Sequence, residues 1–262
     1  ADLHGATFND CVLHHAQFGE AWMGMTKLVG CELDHASWHA AQLDAAVLSR
    51  CRLLDVNADA SVWRHATVNE CDTQAMTWAG ARMTRVVFHQ TALRERDFSG
   101  LSLEGCQFTG ADLSGARFRE ARLAQCGFAQ AQLEGADFSQ AHAPHTVFCD
   151  ARGAGTRWAG AHLHQALFTG AQLPGAVFDG AHLYQTHFAR AGLAPARFVG
   201  AELTYADFRH ADLRGADLRQ ATMLRACLHA SQTETAQFTD RARALETDPD
   251  LDRAERWTPQ VG

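Results

Sequence analysis

Long apolar runs are missing from this 262-residue chain: none approaches the roughly 18–20 residues that carry a helix across a bilayer. No charged-then-apolar leader opens it either. Tyrosine is scarce, two residues against fifteen phenylalanines. The composition is otherwise close to globular, 47% hydrophobic and 20% charged, and the length alone suggests one or two domains. A strong excess of one charge is also lacking. The formal net charge is −7 and the isoelectric point about 6.1, with Arg interleaved among the acids, so no basic groove for direct nucleic-acid binding is in view. Catalytic signatures are absent as well: no G-x-S-x-G, no Gly-rich phosphate loop after a strand and no C-x-x-C zinc spacing. The expectation is a chain that is not an enzyme, takes no cofactor and enters no membrane.

What is present is a period of five. Cut into fives, Leu101 to Gln140 reads LSLEG CQFTG ADLSG ARFRE ARLAQ CGFAQ AQLEG ADFSQ. The third letter is Leu or Phe throughout (Leu103, Phe108, Leu113, Phe118, Leu123, Phe128, Leu133, Phe138), and the first is nearly always small. An α-helix turns about 100° per residue, so this repeat would scatter its Leu and Phe around the cylinder instead of forming a stripe. A flat strand would flip every second one to the opposite face. A short extended piece followed by a corner satisfies both inward positions. Stacked, such units make a solenoid held by parallel β-bridges.

ADLSG, AQLEG, ADFSQ, ADLRG and ADLRQ resemble the pentapeptide-repeat proteins, whose pattern is A-(D/N)-(L/F)-x-x. The resemblance covers nearly the whole chain. It implies an all-β solenoid, a right-handed quadrilateral parallel β-helix with one pentad per face and four per coil. The frame set by Leu3 runs from Ala1 to Asp240 without insertion, about 12 coils, or roughly 58 Å of rod at the usual strand spacing of about 4.8 Å. Residues 1–240 form the repeat array and 241–262 a C-terminal cap or dimerisation tail. Because ADLHG is already a full pentad and begins with Ala1, the expectation is a start inside a repeat array or after a removed upstream part.

In rows of twenty, one column reads Phe88, Phe108, Phe128, Phe148, Phe168, Phe188, Phe208, and the opposite one Phe98, Phe118, Phe138, Trp158, Phe178, Phe198. Two facing aromatic ladders between Leu-rich walls make a core, each buried Leu or Phe contributing about 1.5–3 kcal/mol before chain entropy. Gly falls mainly at the fifth position, as at Gly105, Gly110 and Gly115, where a turn needs positive φ. Two regions are poor in core residues, Val56–Ala75 and Ala141–Gly155. The favoured expectation is local degeneracy with Trp63, Trp78 and Trp158 filling the volume; the other is a loosened coil offered to a partner.

Cys11, Cys31, Cys51 and Cys71 stack in one column, and Cys106 and Cys126 in another, all at the small inward position. They read as small buried hydrophobes, and stacking about 4.8 Å apart disfavours disulfides. His142, His162, His182 and Glu202 form an outward column, and His15, His35 and Asp55 another. A His ladder can hold a transition metal, but with no second shell in view the expectation is a solvated face and no metal. Asp97, Arg117, Asp137 and Arg157 read as an alternating charge ladder, worth at most about 1 kcal/mol per pair.

After Asp240 the frame ends. Asp248 followed by Pro249 is a helix start, Asp as N-cap and Pro in the first turn. Leu245, Leu251 and Trp257 are the large apolar residues of this tail and the candidate partner-binding residues. They read first as a cap over the last coil's open edge; the resemblance also allows a homodimer contact, as gyrase-binding members use that end. The first functional expectation is a non-enzymatic scaffold, a rigid rod docking another protein of unknown identity. It resembles the rods appended to secreted effectors and type VI secretion adaptors, one module of a larger bacterial protein, cytoplasmic or secreted without a signal peptide. The alternative is a DNA-mimicking rod that inhibits or protects DNA gyrase or topoisomerase, which requires negative charge near phosphate density. About 25 acidic and 19 basic residues in the array give a weak net field, and Arg209, Arg214 and Arg219 offset Asp207, Asp212 and Asp217. That ranks the scaffold first.

Overall fold

The computed structural model describes residues 1–257. Between the end turns, nearly every pentad folds alike. The first and third residues, such as Ala111 and Leu113, are buried, the second forms a bridge, and the fourth and fifth make the corner. The corner is closed by the next pentad's first N–H donating to the preceding third carbonyl, as from Ala116 to Leu113 at 3.0 Å. Four such corners complete a turn, so residues twenty apart pair in parallel: His142 with His162, Val147 with Leu167, Arg152 with Gln172, Arg157 with Val177. The result is a parallel β-solenoid of about twelve turns. In the N-terminal part the bridges lengthen into strands. Thr7–Asn9, Lys27–Val29, Val47–Ser49, Thr67–Asn69 and Val87–His89 form one parallel sheet, and Gln42–Asp44, Val62–Arg64 and Arg82–Thr84 another.

The two aromatic ladders are as the columns predict. Phe108 stacks between Phe88 at 5.0 Å and Phe128 at 4.9 Å, which is the backbone repeat imposed on the rings. Across the core the ladders meet edge to face, Phe118 against Phe128 at 5.5 Å and 87°, an arrangement that sets positive ring edges on negative faces. The left-handed corner extends beyond the glycines, however. Gly105 has φ 68°, but Glu120, Gln125 and Gln140 hold 58°, 60° and 61°. Each such corner secures a bond to the next turn, as from Gln140 N–H to Ala159 O at 2.9 Å. That bond offsets a left-handed residue's cost of roughly 1–2 kcal/mol.

The core-poor regions keep their ladders, through Asn57–Thr77 and Thr67–Val87 in the first and the pairs of His142, Val147 and Arg152 given above in the second. Tryptophan does supply the volume: Trp63 lies 5.9 Å from Trp38, and Trp158 stacks on Phe138 at 4.2 Å. No side chain fits at Gly153, where a Cβ would meet Leu133 Cβ at 2.8 Å and Thr156 Cγ2 at 2.7 Å.

Buried indoles follow a local rule. Trp63 Nε1–H donates to Ser61 Oγ at 2.7 Å and Trp158 Nε1–H to Thr156 Oγ1 at 2.9 Å, so a hydroxyl at the first position serves a Trp at the third. Trp38 and Trp78 follow Ala36 and Met76 instead, and their indole nitrogens are buried without a partner. Ala36→Ser is therefore expected to raise stability by about 1 kcal/mol and Thr156→Ala to lower it by about 1–3 kcal/mol. Thermal denaturation of the two variants beside the parent checks both signs.

Candidate interaction surfaces

The tail is attached to the rod by backbone first. Leu245 pairs with Cys227, eighteen residues back rather than twenty, with Leu245 N–H to Ala226 O and Leu228 N–H to Leu245 O both at 2.8 Å. A 3₁₀ turn, Arg241–Arg243, brings the Arg241 guanidinium to 4.8 Å above the Phe238 ring, where Glu246 holds it at 2.7 Å. The helix Pro249–Glu255 starts as the sequence predicts: Asp248 Oδ1 accepts from Asp250 N–H at 2.9 Å and Leu251 N–H at 3.2 Å.

Of the three apolar tail residues, Leu245 and Leu251 line one cleft with Asp207, Arg209, Cys227, His229, Glu246 and Asp248, about 540 Å³ in volume. Trp257 lies beyond the helix, 72% exposed, and does not line that cleft. Sequence reasoning missed what pins the helix. Glu255 Oε2 lies 3.1 Å from His210 Nε2 and 3.3 Å from His229 Nε2, and these hydrogen bonds hold its carboxyl below the usual range. His210 and His229 are nineteen residues apart, so no column of twenty shows them together.

Along the flank, charges pair within a turn. Arg209, Arg214 and Arg219 each reach back two residues to Asp207, Asp212 and Asp217 at 2.7 Å. Hydrogen bonds from Arg219 hold the Asp217 carboxyl down at about 2. Burial pushes Asp207 up, but the Arg209 bonds outweigh it and its carboxyl is also lowered. The alternating ladder is corrected in one respect. Arg117 pairs with Asp97 at 3.0 Å as expected, but Asp137 turns to Arg119 at 3.4 Å, because both lean over the same corner. In the His column, His162 and His182 stack face to face at 4.5 Å and 15°. Ring lone pairs lie in the ring planes, so stacked rings aim them side by side instead of at one ion. Burial, then His182, His142 and His164, holds His162 toward its neutral form.

The one opening of the ladder found among the described residues was also missed. No bridge joins Thr77 to Asp97 or Ala92 to Asp112, although the matching Asp137 N–H bonds Ala116 O at 3.0 Å two turns on. The cause is the inward column Val56, Met76, Arg96, where most turns have Ala. The Arg96 guanidinium bonds Thr73 O at 3.3 Å and Arg94 O at 3.1 Å, and the two turns part around a cleft of about 300 Å³ lined by Asp72, Gln74, Ala92, Arg94, Glu95 and Arg96.

The sequence profile of pentapeptide repeats matches in eight copies, over residues 88–125, 102–140, 154–185 and 196–231. The chain belongs to the pentapeptide-repeat family. Among solved structures, this pentapeptide-repeat chain is similar to HetL, a pentapeptide repeat protein involved in heterocyst differentiation regulation from the cyanobacterium Nostoc sp. strain PCC 7120, at 23% identity over 88% of each chain and a TM-score of 0.49. It is also similar to QnrB1, a plasmid-mediated fluoroquinolone resistance protein, at 15% identity over 89% of this chain and 97% of that one, TM-score 0.39. No curated protein sequence matches it. Neither likeness carries an argument about what this chain binds.

Two outcomes are expected. Replacing Arg96 by Ala should let the turns close and add about 0.5–1.5 kcal/mol per regained bond; slower amide exchange at Trp78 and Asp97 reads it directly. Asp217, with a lowered carboxyl, contributes stability at neutral pH that is lost as pH falls through the ordinary aspartate range toward 2. A carboxyl NMR titration should show that midpoint, and Arg219→Gln should raise it.

Proposed function

We propose that this pentapeptide-repeat chain is a non-enzymatic interaction rod that docks another protein, as one module of a larger bacterial protein such as a secretion-system adaptor or effector. The observation that carries this reading is the pairing of Asp207, Asp212 and Asp217 with their own arginines. Acids neutralised within two residues present alternating short dipoles, not a row of free charges at phosphate spacing. Such a surface recognises a partner by shape and by local charge pattern, and a rod with in-register turns offers it a rigid ruler. No helix among the described residues is long and apolar enough to cross a membrane.

The contrary reading is a gyrase-directed DNA mimic, with Leu245, Leu251 and Trp257 as its homodimer contact. A supercoiling assay with DNA gyrase, with and without the chain, separates the two. The rod reading expects no inhibition and no protection from a quinolone at stoichiometric amounts. Inhibition there, together with dimers that Trp257→Ala disrupts in sedimentation, would overturn it.

A further inference from the structure

We infer that His210, His229 and Glu255 form a site for a first-row transition dication, zinc fitting best, which clamps the terminal helix Pro249–Glu255 to the last turns of the rod. The three ligand atoms already lie within 4.8 Å of one another. Around tetrahedral zinc, with bonds of about 2.0–2.1 Å to nitrogen and oxygen, ligand atoms stand roughly 3.3 Å apart. Two of the three edges have that length before any ion enters, from Glu255 Oε2 to His210 Nε2 at 3.1 Å and to His229 Nε2 at 3.3 Å. Only the edge between the imidazoles has to shorten.

Ring orientation supports the same conclusion. His210 and His229 stand at 88° with centroids 5.7 Å apart, so their in-plane lone pairs can converge on one point, which those of stacked His162 and His182 cannot. Two imidazoles and a carboxylate are a donor set suited to zinc. Glu255 is exposed, leaving room for water as the fourth ligand.

The site is also held from behind. His229 is 2% exposed, and its Nδ1 accepts from the Asp248 N–H at 3.2 Å. That bond places the ring proton on Nε2 in the metal-free protein, donating to Glu255. An ion on Nε2 displaces this proton to Nδ1, and the Asp248 N–H must then turn to water. Arg209 lies nearby, but Asp207 already binds it at 2.7 Å. The lost hydrogen bond makes the expected affinity micromolar, not the tighter binding of a closed structural site.

The test is calorimetric titration of the EDTA-treated full chain with zinc chloride alone. One ion per chain is expected, with His210→Ala and Glu255→Gln each weakening binding at least about tenfold, as loss of one of three ligands should, and His162→Ala leaving it unchanged. A retained β-sheet circular dichroism spectrum of the variants without metal shows that the turns are intact, whatever the loss of the Glu255 contacts does to the helix. In the parent, zinc should also slow tryptic cleavage at Arg253 and Arg256, and in Glu255→Gln it should not. No saturable binding, or binding equally strong in His210→Ala and Glu255→Gln, would overturn the assignment.

Discussion

Register is the constraint on which the rest depends: each turn must sit on the one below with residues twenty apart in contact. Parallel hydrogen bonds set the rise, and everything stacked in a column inherits it. The aromatic rings repeat at 4.7–5.0 Å along most of both ladders because the backbone does. Rings so spaced are in contact without adjustment, so core packing and backbone pairing reinforce one another. Surface charge, cysteine burial and corner conformation all follow from the same frame.

The frame's strictest demand falls on the first position of each pentad, beside the neighbouring backbone. Ala satisfies it, and so do Ser, which donates to the carbonyl three residues back as Ser231 does to Leu228 O at 2.8 Å, and several Cys and Thr, whose short polar atom donates to a carbonyl twenty-three residues back. Thr146 to Leu123 O at 2.8 Å, Thr186 to Leu163 O at 2.9 Å and Cys126 to Leu103 O at 2.8 Å are examples. Burial raises the Cys106 thiol to about 12, which makes it inert in that role. Arg96 exceeds what the position accepts, and the turns separate there.

Legibility in the sequence follows this geometry. The period of five, the Phe and Leu columns and the neutralised Asp–Arg flank could be read directly, because each depends on residues at fixed offsets. The opening at Arg96 was legible in principle, because Val56, Met76 and Arg96 lie in one column at the first position, where most turns have Ala. The Asp248 cap was readable because it is local. The junction of His210 and His229 with Glu255 was not: it joins two different corner positions to a residue outside the repeat, and only the path of the tail brings them together.

The eighteen-residue step at Leu245 has a consequence for self-association. A head-to-tail filament of solenoids grows only while each copy offers the next a bare backbone edge. Here Arg243 and Leu245 already take up the edge at Arg225 and Leu228, out of phase with any incoming turn. Along this face of the last turn, the tail itself occupies the edge an incoming copy would need, set off its register by two residues of spacing.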